Sequence, residues 1–278
     1  MTQDISVINA FSYGARGGNP AAVVRDGQKL DVAGRQALAS SLGYSETAFV
    51  LPSEKADWRL EFYTPTRQIP HCGHATLAAF SLLAARGELQ PGSASHESPD
   101  GIHQVRIAGN RIMMEQDEVM FEPFERSRAA LRALGLGDQA LHPTLPPMIG
   151  STGNRFLLLP LANPSSLRQI RPNLPAIEAL SERFGLIGFY PFALTKGPVA
   201  AAARMFAPAY GIAEEAATGM AAGPLGAYLR DYAGADAELL TIAQGAAMRP
   251  ASPSRLLVDV SQPKIWVGGQ ARMSASMA

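Results

Sequence analysis

The spacing of apolar and polar positions changes several times along the chain, and each change marks a predicted element. "ISVINAFSY" from Ile5 and "AAVVRDG" from Ala21 read as strands separated by the turn "GGNP". "DVAGRQALASSLG" has Asp31 as a cap, Leu38 and Leu42 one turn apart and Gly43 as a stop, which predicts a helix. "ETAFVLP" and "WRLEFYTP" are β-branched or aromatic runs ended by proline, as strands are. "GHATLAAFSLLAARG" is apolar nearly all round, so a helix there must be buried on every side. "HQVRIAGNRIMMEQ", divided by Gly109-Asn110, predicts a hairpin.

The second half repeats this order. A helix around Arg126–Leu136, the strand "RFLLLP", the helix "PAIEALSERFG" and the strands "GFYPFALTK" and "AAARMFAPAYG" lead into a second small-residue helix, "ATGMAAGPLGAYLRDYAG". Strands near Leu239–Ile242, Arg255–Val260 and Lys264–Val267 close the chain. Setting "LEFYTP…CGHATLAAFSLL" against "ARMFAP…TGMAAGPLGAYL" places Cys72 opposite Thr218, Gly73 opposite Gly219 and His74 opposite Met220. A duplicated two-lobed fold is expected. Its boundary is expected between Glu122 and Ser127, giving lobes 1–124 and 125–278 with terminal strands free to cross. Each lobe is expected to be a curled sheet around one apolar helix.

Composition narrows the function. Lys plus Arg and Asp plus Glu are 24 each, so the formal net charge is zero. With no basic stripe, nucleic acid and anionic membranes are not expected partners, whereas a small polar substrate is. The chain has one cysteine, no signal-like start and no apolar run near the ~20 residues a bilayer requires, which points to the cytoplasm.

The two glycine-initiated helices offer unpaired N–H groups and partial positive charge. Facing each other across a lobe interface they would suit a carboxylate, although the glycines also serve close packing. Cys72 at a helix start is either an activated thiolate or a small buried residue. A two-thiol racemase is excluded because the partner position is Thr218. His71, Cys72 and His74 lie too close in sequence to complete a tetrahedral metal site alone, and the partner segment supplies no histidine, so no metal is expected. Glu46, followed by apolar Ala48, Phe49 and Val50, is a candidate acid/base whose pKa desolvation would raise, or else a surface glutamate. Glu214-Glu215 suit a helix N-terminus.

Together "GGNPAAVV", "SETAFV", "YTPTRQIPHCGHATLAA", "ARMFAPAYGIAEEAATGMAAGPLGAYL" and "IWVGG" resemble the phenazine-biosynthesis PhzF-like isomerase family over nearly the whole chain. The resemblance implies an α+β, diaminopimelate epimerase-like fold of two similar lobes. Each lobe would be a barrel-like, mostly antiparallel sheet around a central helix, with the site in the cleft between them. It also implies a cofactor-free enzyme, usually a homodimer, acting on a small carboxylate metabolite. In that pattern Glu46 is the acid/base, His74 contacts the substrate, and amides near Gly73 and Gly219 hold its carboxylate. Asn19, Gln68, Cys72, Thr218 and Met220 line the site, and Glu215 assists catalysis. Three positions depart from the family pattern: Glu215 replaces an aspartate, Met220 a serine and Gln68 a glutamate.

The leading expectation is therefore a proton-shifting isomerase of secondary metabolism. Its rivals are a single-thiol epimerase or racemase using Cys72, a non-catalytic metabolite-binding protein, and a metal-dependent hydrolase, which the histidine distribution argues against.

Overall fold

The computed structural model describes residues 3–277, with side chains through 274. The chain begins with β1 (Ile5–Ala10), β2 (Asn19–Val24), α1 (Val32–Leu42), β3 (Thr47–Leu51), β4 (Trp58–Tyr63) and β5 (Gln68–Ile69). There follow α2 (Gly73–Ala85), β6 (Gly92–Ser98), β7 (Gly101–Ala108), β8 (Arg111–Glu115) and β9 (Met120–Pro123). Next come α3 (Ser127–Ala133), β10 (Met148–Ser151), β11 (Arg155–Leu161), α4 (Pro164–Gln169), α5 (Leu174–Phe184) and β12 (Gly188–Leu194). The remainder is β13 (Ala201–Ala203), β14 (Met205–Ala207), β15 (Ile212–Glu215), α6 (Gly219–Ala233), β16 (Leu239–Gln244), β17 (Ser254–Asp259) and β18 (Trp266–Met277).

These elements form two units, residues 1–115 with 268–278, and residues 116–267. The change of unit precedes the expected Glu122–Ser127 segment because β9 pairs with β10 and so belongs to the second unit. None of the described helices is long and apolar enough to cross a membrane.

In the first unit the strands pair in the order β18, β1, β2, β3, β4, β6, β7, β8, and β8 pairs back with β18. The result is a closed, mostly antiparallel barrel with no free edge. Helix α2 packs against β1, β2, β3 and β8, and nearly all of it is buried. Its all-round apolar sequence is the cause: burying each of Leu77, Phe80, Leu82 and Leu83 is worth about 1.5–3 kcal/mol. Thr76, polar in this setting, donates its Oγ1 proton to the Cys72 carbonyl at 2.9 Å. Helix α1 starts and stops as expected: Asp31 accepts from the Gly34 N–H at 2.7 Å, and Gly43 adopts φ +69°. It covers the outside of the barrel, with Leu30, Leu38 and Leu42 over Phe49, Leu51 and Tyr63.

The second unit repeats the plan with strand order β9, β10, β11, β12, β13, β16, β17. Helix α6 packs on β10, β11, β16 and β17. Gly226 permits this approach, since a Cβ there would stand 2.4 Å from Val258 Cγ1. A separate core beneath α3 and α5 joins Leu131, Leu157, Leu159, Ile177, Phe189 and Phe206.

The duplication is visible in the crossovers. Parallel strands need a long connection, and each unit has two such pairs. In the first, β2–β3 is bridged by α1 and β4–β6 by α2; in the second, β11–β12 is bridged by α4 and α5, and β13–β16 by α6. Cys72 and Thr218 are the residues immediately before α2 and α6, as the sequence register placed them.

Three elements differ from expectation. "GSASHES" forms β6, although its residues are small or polar, because it pairs with β4 on one side and β7 on the other. "AAARMFAPAYG" is broken at Arg204, whose guanidinium binds Glu214 and the Leu167 carbonyl. The last strand extends far beyond Val267 and completes the first barrel.

Candidate active site

Glu46 follows the Gly43 stop of α1 and immediately precedes β3. Its backbone is fixed by the Ala22 N–H, which donates to the Glu46 carbonyl at 3.3 Å. His74 is the second residue of α2, and Cys72 sits at its N-cap position without a side-chain capping hydrogen bond. All three side chains are buried. Nε2 of His74 lies 3.2 Å from Oε2 of Glu46, and Nδ1 of His74 lies 3.5 Å from Sγ of Cys72. The donor atoms of all three residues fall within 4.8 Å of one another.

The charges settle in one direction. Burial pushes the Glu46 carboxyl up, but the charge of His74 and hydrogen bonds from His74 and Ser45 outweigh it and hold Glu46 below the ordinary carboxylate value. Burial disfavours a charged His74, but contact with Cys72 and Glu46 more than compensates and raises it well above 6.5. Burial pushes the Cys72 thiol up, with Glu46 adding to it against His74. The shifts favour the charged forms of Glu46 and His74, and burial favours the neutral form of the Cys72 thiol. The expected rise in the Glu46 pKa is corrected: the cation beside it overrides the apolar neighbours in sequence.

The remaining first-unit candidates are less closely engaged. Asn19 is buried at the start of β2, opposite Ala10. Gln68 is exposed on β5, opposite Tyr63, with no hydrogen bond to the Glu46–His74 pair among the described residues. Gly73 has room for a Cβ, which would meet only Met114 Cε, in ordinary contact at 3.6 Å. His71 does not join Cys72 and His74 but groups with Asp100 and His103.

In the second unit, Thr218, Glu215 and Gln244 form a network at the start of α6. The Thr218 hydroxyl donates to Glu215, the Thr218 N–H donates to Gln244 Oε1 at 3.2 Å, and Gln244 Nε2 donates to the Glu215 carbonyl at 2.8 Å. The Tyr190 hydroxyl completes it, donating to Gln244 Oε1 at 2.8 Å. Burial foremost, with the Glu215 charge behind it, keeps that phenol protonated. Gly219 is buried and Met220 half-buried on the first turn. Sequence reasoning missed Gln244 and Tyr190, which have no local motif and meet Thr218 only through β12 and β16.

Comparison with known proteins places the chain in a family. The family described as phenazine biosynthesis-like protein matches residues 8–276. A relative from Escherichia coli K12, the uncharacterized isomerase YddE, is 37% identical over 236 residues, covering 82% of this chain and 80% of that one. The trans-2,3-dihydro-3-hydroxyanthranilate isomerase of Pseudomonas chlororaphis is 30% identical over 231 residues, covering 80% and 78%. The crystal structure of a Bacillus anthracis phenazine biosynthesis protein of the PhzF family superposes with a TM-score of 0.90 at 27% identity, covering 100% of this chain and 99% of that one. A family match from residue 8 to residue 276, with an isomerase relative 37% identical over four-fifths of the chain, makes this protein an isomerase of the phenazine biosynthesis-like, PhzF family.

Proposed function

We propose that the protein moves a proton within a small carboxylate-bearing metabolite, with Glu46 as the group that takes the proton from one carbon and returns it to another. The observation that carries this reading is the buried 3.2 Å pairing of Glu46 with His74. Glu46 is held ionised, so it is ready to act as a base. Once Glu46 accepts the proton it becomes neutral, and His74 loses the carboxylate charge that sustained its own. His74 is then a stronger acid toward a developing oxyanion or enolate on the substrate. Glu46 gives the proton back at a second carbon, and the pair returns to its starting charge. Substrate and product contain the same atoms and electrons, so the cycle requires no redox or group-carrying cofactor. The N-terminal turn of α2 at Gly73, where a Cβ would meet only Met114 Cε at 3.6 Å, is proposed to hold the substrate carboxylate.

The substrate in the Pseudomonas relative's name, trans-2,3-dihydro-3-hydroxyanthranilate, suggests the class: a cyclic, unsaturated carboxylate. Incubating the enzyme in D₂O with trans-2,3-dihydro-3-hydroxyanthranilate and related cyclic carboxylates should place deuterium on carbon. Glu46→Gln should reduce that exchange by about 10²-fold or more. Exchange at the wild-type rate in Glu46→Gln would overturn the assignment.

A second reading rests on the 3.5 Å contact of Cys72 with His74. There the thiol acts as the single base, with His74 and Glu46 as its relay. Its raised pKa counts against it, since the neutral form that burial favours is a weak base.

A further inference from the structure

Outside the Glu46–His74 pair, the first barrel gathers a second set of chemically versatile side chains. His71 lies in the loop before α2, Asp100 in the two-residue turn between β6 and β7, and His103 on β7. Although distant in sequence, they bring one donor atom each within 4.8 Å of one another. Nε2 of His103 lies 3.0 Å from Oδ1 of Asp100, and Nδ1 of His71 lies 3.9 Å from Oδ2 of the same carboxylate. A tetrahedral ion with bonds of about 2.0–2.2 Å holds its ligand atoms roughly 3.3–3.5 Å apart. The two histidine nitrogens stand 3.0 and 3.9 Å from the two oxygens of the Asp100 carboxylate, on either side of that span.

We propose that His71, Asp100 and His103 form a binding site for a divalent transition-metal ion of the zinc type. Two imidazoles and one carboxylate are a donor set suited to zinc, cobalt, nickel or iron and poorly suited to magnesium or calcium. The support a metal site needs is already in place. The Ser98 hydroxyl donates to Asp100 Oδ1 at 2.6 Å and fixes the carboxylate, as the outer partners of metal ligands do. Beneath the three ligands the ring of His96, opposite His103 across the β6–β7 pair, stacks on His103 at 5.1 Å and on His71 at 6.1 Å. His96 is fully buried and flanked by Phe62 and Phe80, which gives the site a dry floor. The ligand side chains are 13–36% exposed, so an ion can enter and keep water in its open position.

The site is distinct from the Glu46–Cys72–His74 group, and no step of the proton shift passes through it. Its consequence is mechanical. His71 is joined directly to Cys72, so a bound ion would fasten the segment leading into α2 to the β6–β7 hairpin.

The test uses tag-free full-length protein stripped with chelator. Calorimetric titration with Zn²⁺ should show one ion per chain and a raised Tm. His103→Gln and Asp100→Asn should each weaken binding at least about tenfold and abolish the Tm rise. Glu46→Gln and Cys72→Ala should bind Zn²⁺ as the wild type does. Co²⁺ should give visible bands without the sulfur-to-cobalt charge transfer that a Cys72 ligand would add. Absence of binding at millimolar Zn²⁺, or binding that survives His103→Gln and is lost in Cys72→Ala, would overturn the proposal. Asp100 is on an exposed turn and asparagine is isosteric with it, so that variant keeps the test valid even where His103→Gln folds poorly.

Discussion

Nε2 of His74 lies 3.2 Å from Oε2 of Glu46, so a cation and an anion are buried together at the start of α2. Their linkage to pH has opposite signs on the two sides. Glu46 is depressed below 4.5, so its contribution to stability is present above that value and is lost as the pH falls through its folded pKa. His74 is raised above 6.5, so its contribution is complete below 6.5 and is lost as the pH rises through its folded pKa. The stability gap between wild type and Glu46→Gln should therefore be widest between about pH 4.5 and 6.5 and should narrow on both sides. Urea unfolding midpoints measured from well below that range to well above it will show it. A gap independent of pH would mean that the pair is not charged in the folded protein.

Cys72 separates the two catalytic readings. With Glu46 as the base, Cys72→Ala should keep turnover within about tenfold, because the thiol only packs beside His74; with the thiol as base, turnover should vanish. The raised pKa also predicts slow alkylation: iodoacetamide at pH 7.5 should modify native Cys72 far more slowly than the urea-unfolded chain, as mass spectrometry will show. Rapid native labelling together with a dead alanine variant would move the chemistry to sulfur.

How legible the site was depends on the range of the interactions. The burial of α2 was readable because its apolar residues run all round the helix, and the equivalence of Cys72 and Thr218 was readable because the punctuation of the two halves repeats. The sign of the Glu46 shift was not readable. The sequence displays Ala48, Phe49 and Val50 beside Glu46, but His74 arrives only when α2 threads the barrel next to β3. Strand β6 was invisible for a related reason: Ser93, Ser95 and Ser98 carry no strand signal of their own, and the hydrogen bonds of β4 and β7 decide their conformation. The His71–Asp100–His103 cluster depends on the same pairings, which no local spacing encodes.

Glu61 supports a second buried charge system. Its carboxylate accepts from Arg35 Nη1 at 2.9 Å, from Arg59 Nη2 at 2.6 Å and from the Tyr63 hydroxyl at 3.1 Å. Burial first, then the Glu61 charge, pushes the Tyr63 phenol up to about 12. Glu61→Ala leaves the buried Arg35 guanidinium without its counter-charge and should cost about 3–5 kcal/mol. The double variant Arg35→Met/Glu61→Leu should recover most of that loss, since no charge is then buried alone. Denaturant midpoints at constant m-value will distinguish the two, and a single-variant loss below about 1 kcal/mol would show that water reaches Arg35.

Two glycines separate packing from binding. A Cβ at Gly268 would stand 1.9 Å from the Ile112 carbonyl oxygen, where β18 passes β8 to close the barrel. Backbone atoms cannot yield as a flexible side chain does, so Gly268→Ala should destabilise the protein by at least about 3 kcal/mol or prevent folding. At Gly73 the nearest atom to a new Cβ is Met114 Cε at 3.6 Å, an ordinary contact. Gly73→Ala should therefore leave the Tm unchanged or raise it slightly, since alanine favours a helix over glycine by about 0.8–1.0 kcal/mol. If the α2 terminus holds the substrate carboxylate, the added methyl crowds it, and KM should rise at least about tenfold in a fully folded enzyme. Unchanged KM in Gly73→Ala would remove the carboxylate from this helix end while leaving Glu46 and His74 as the catalytic pair.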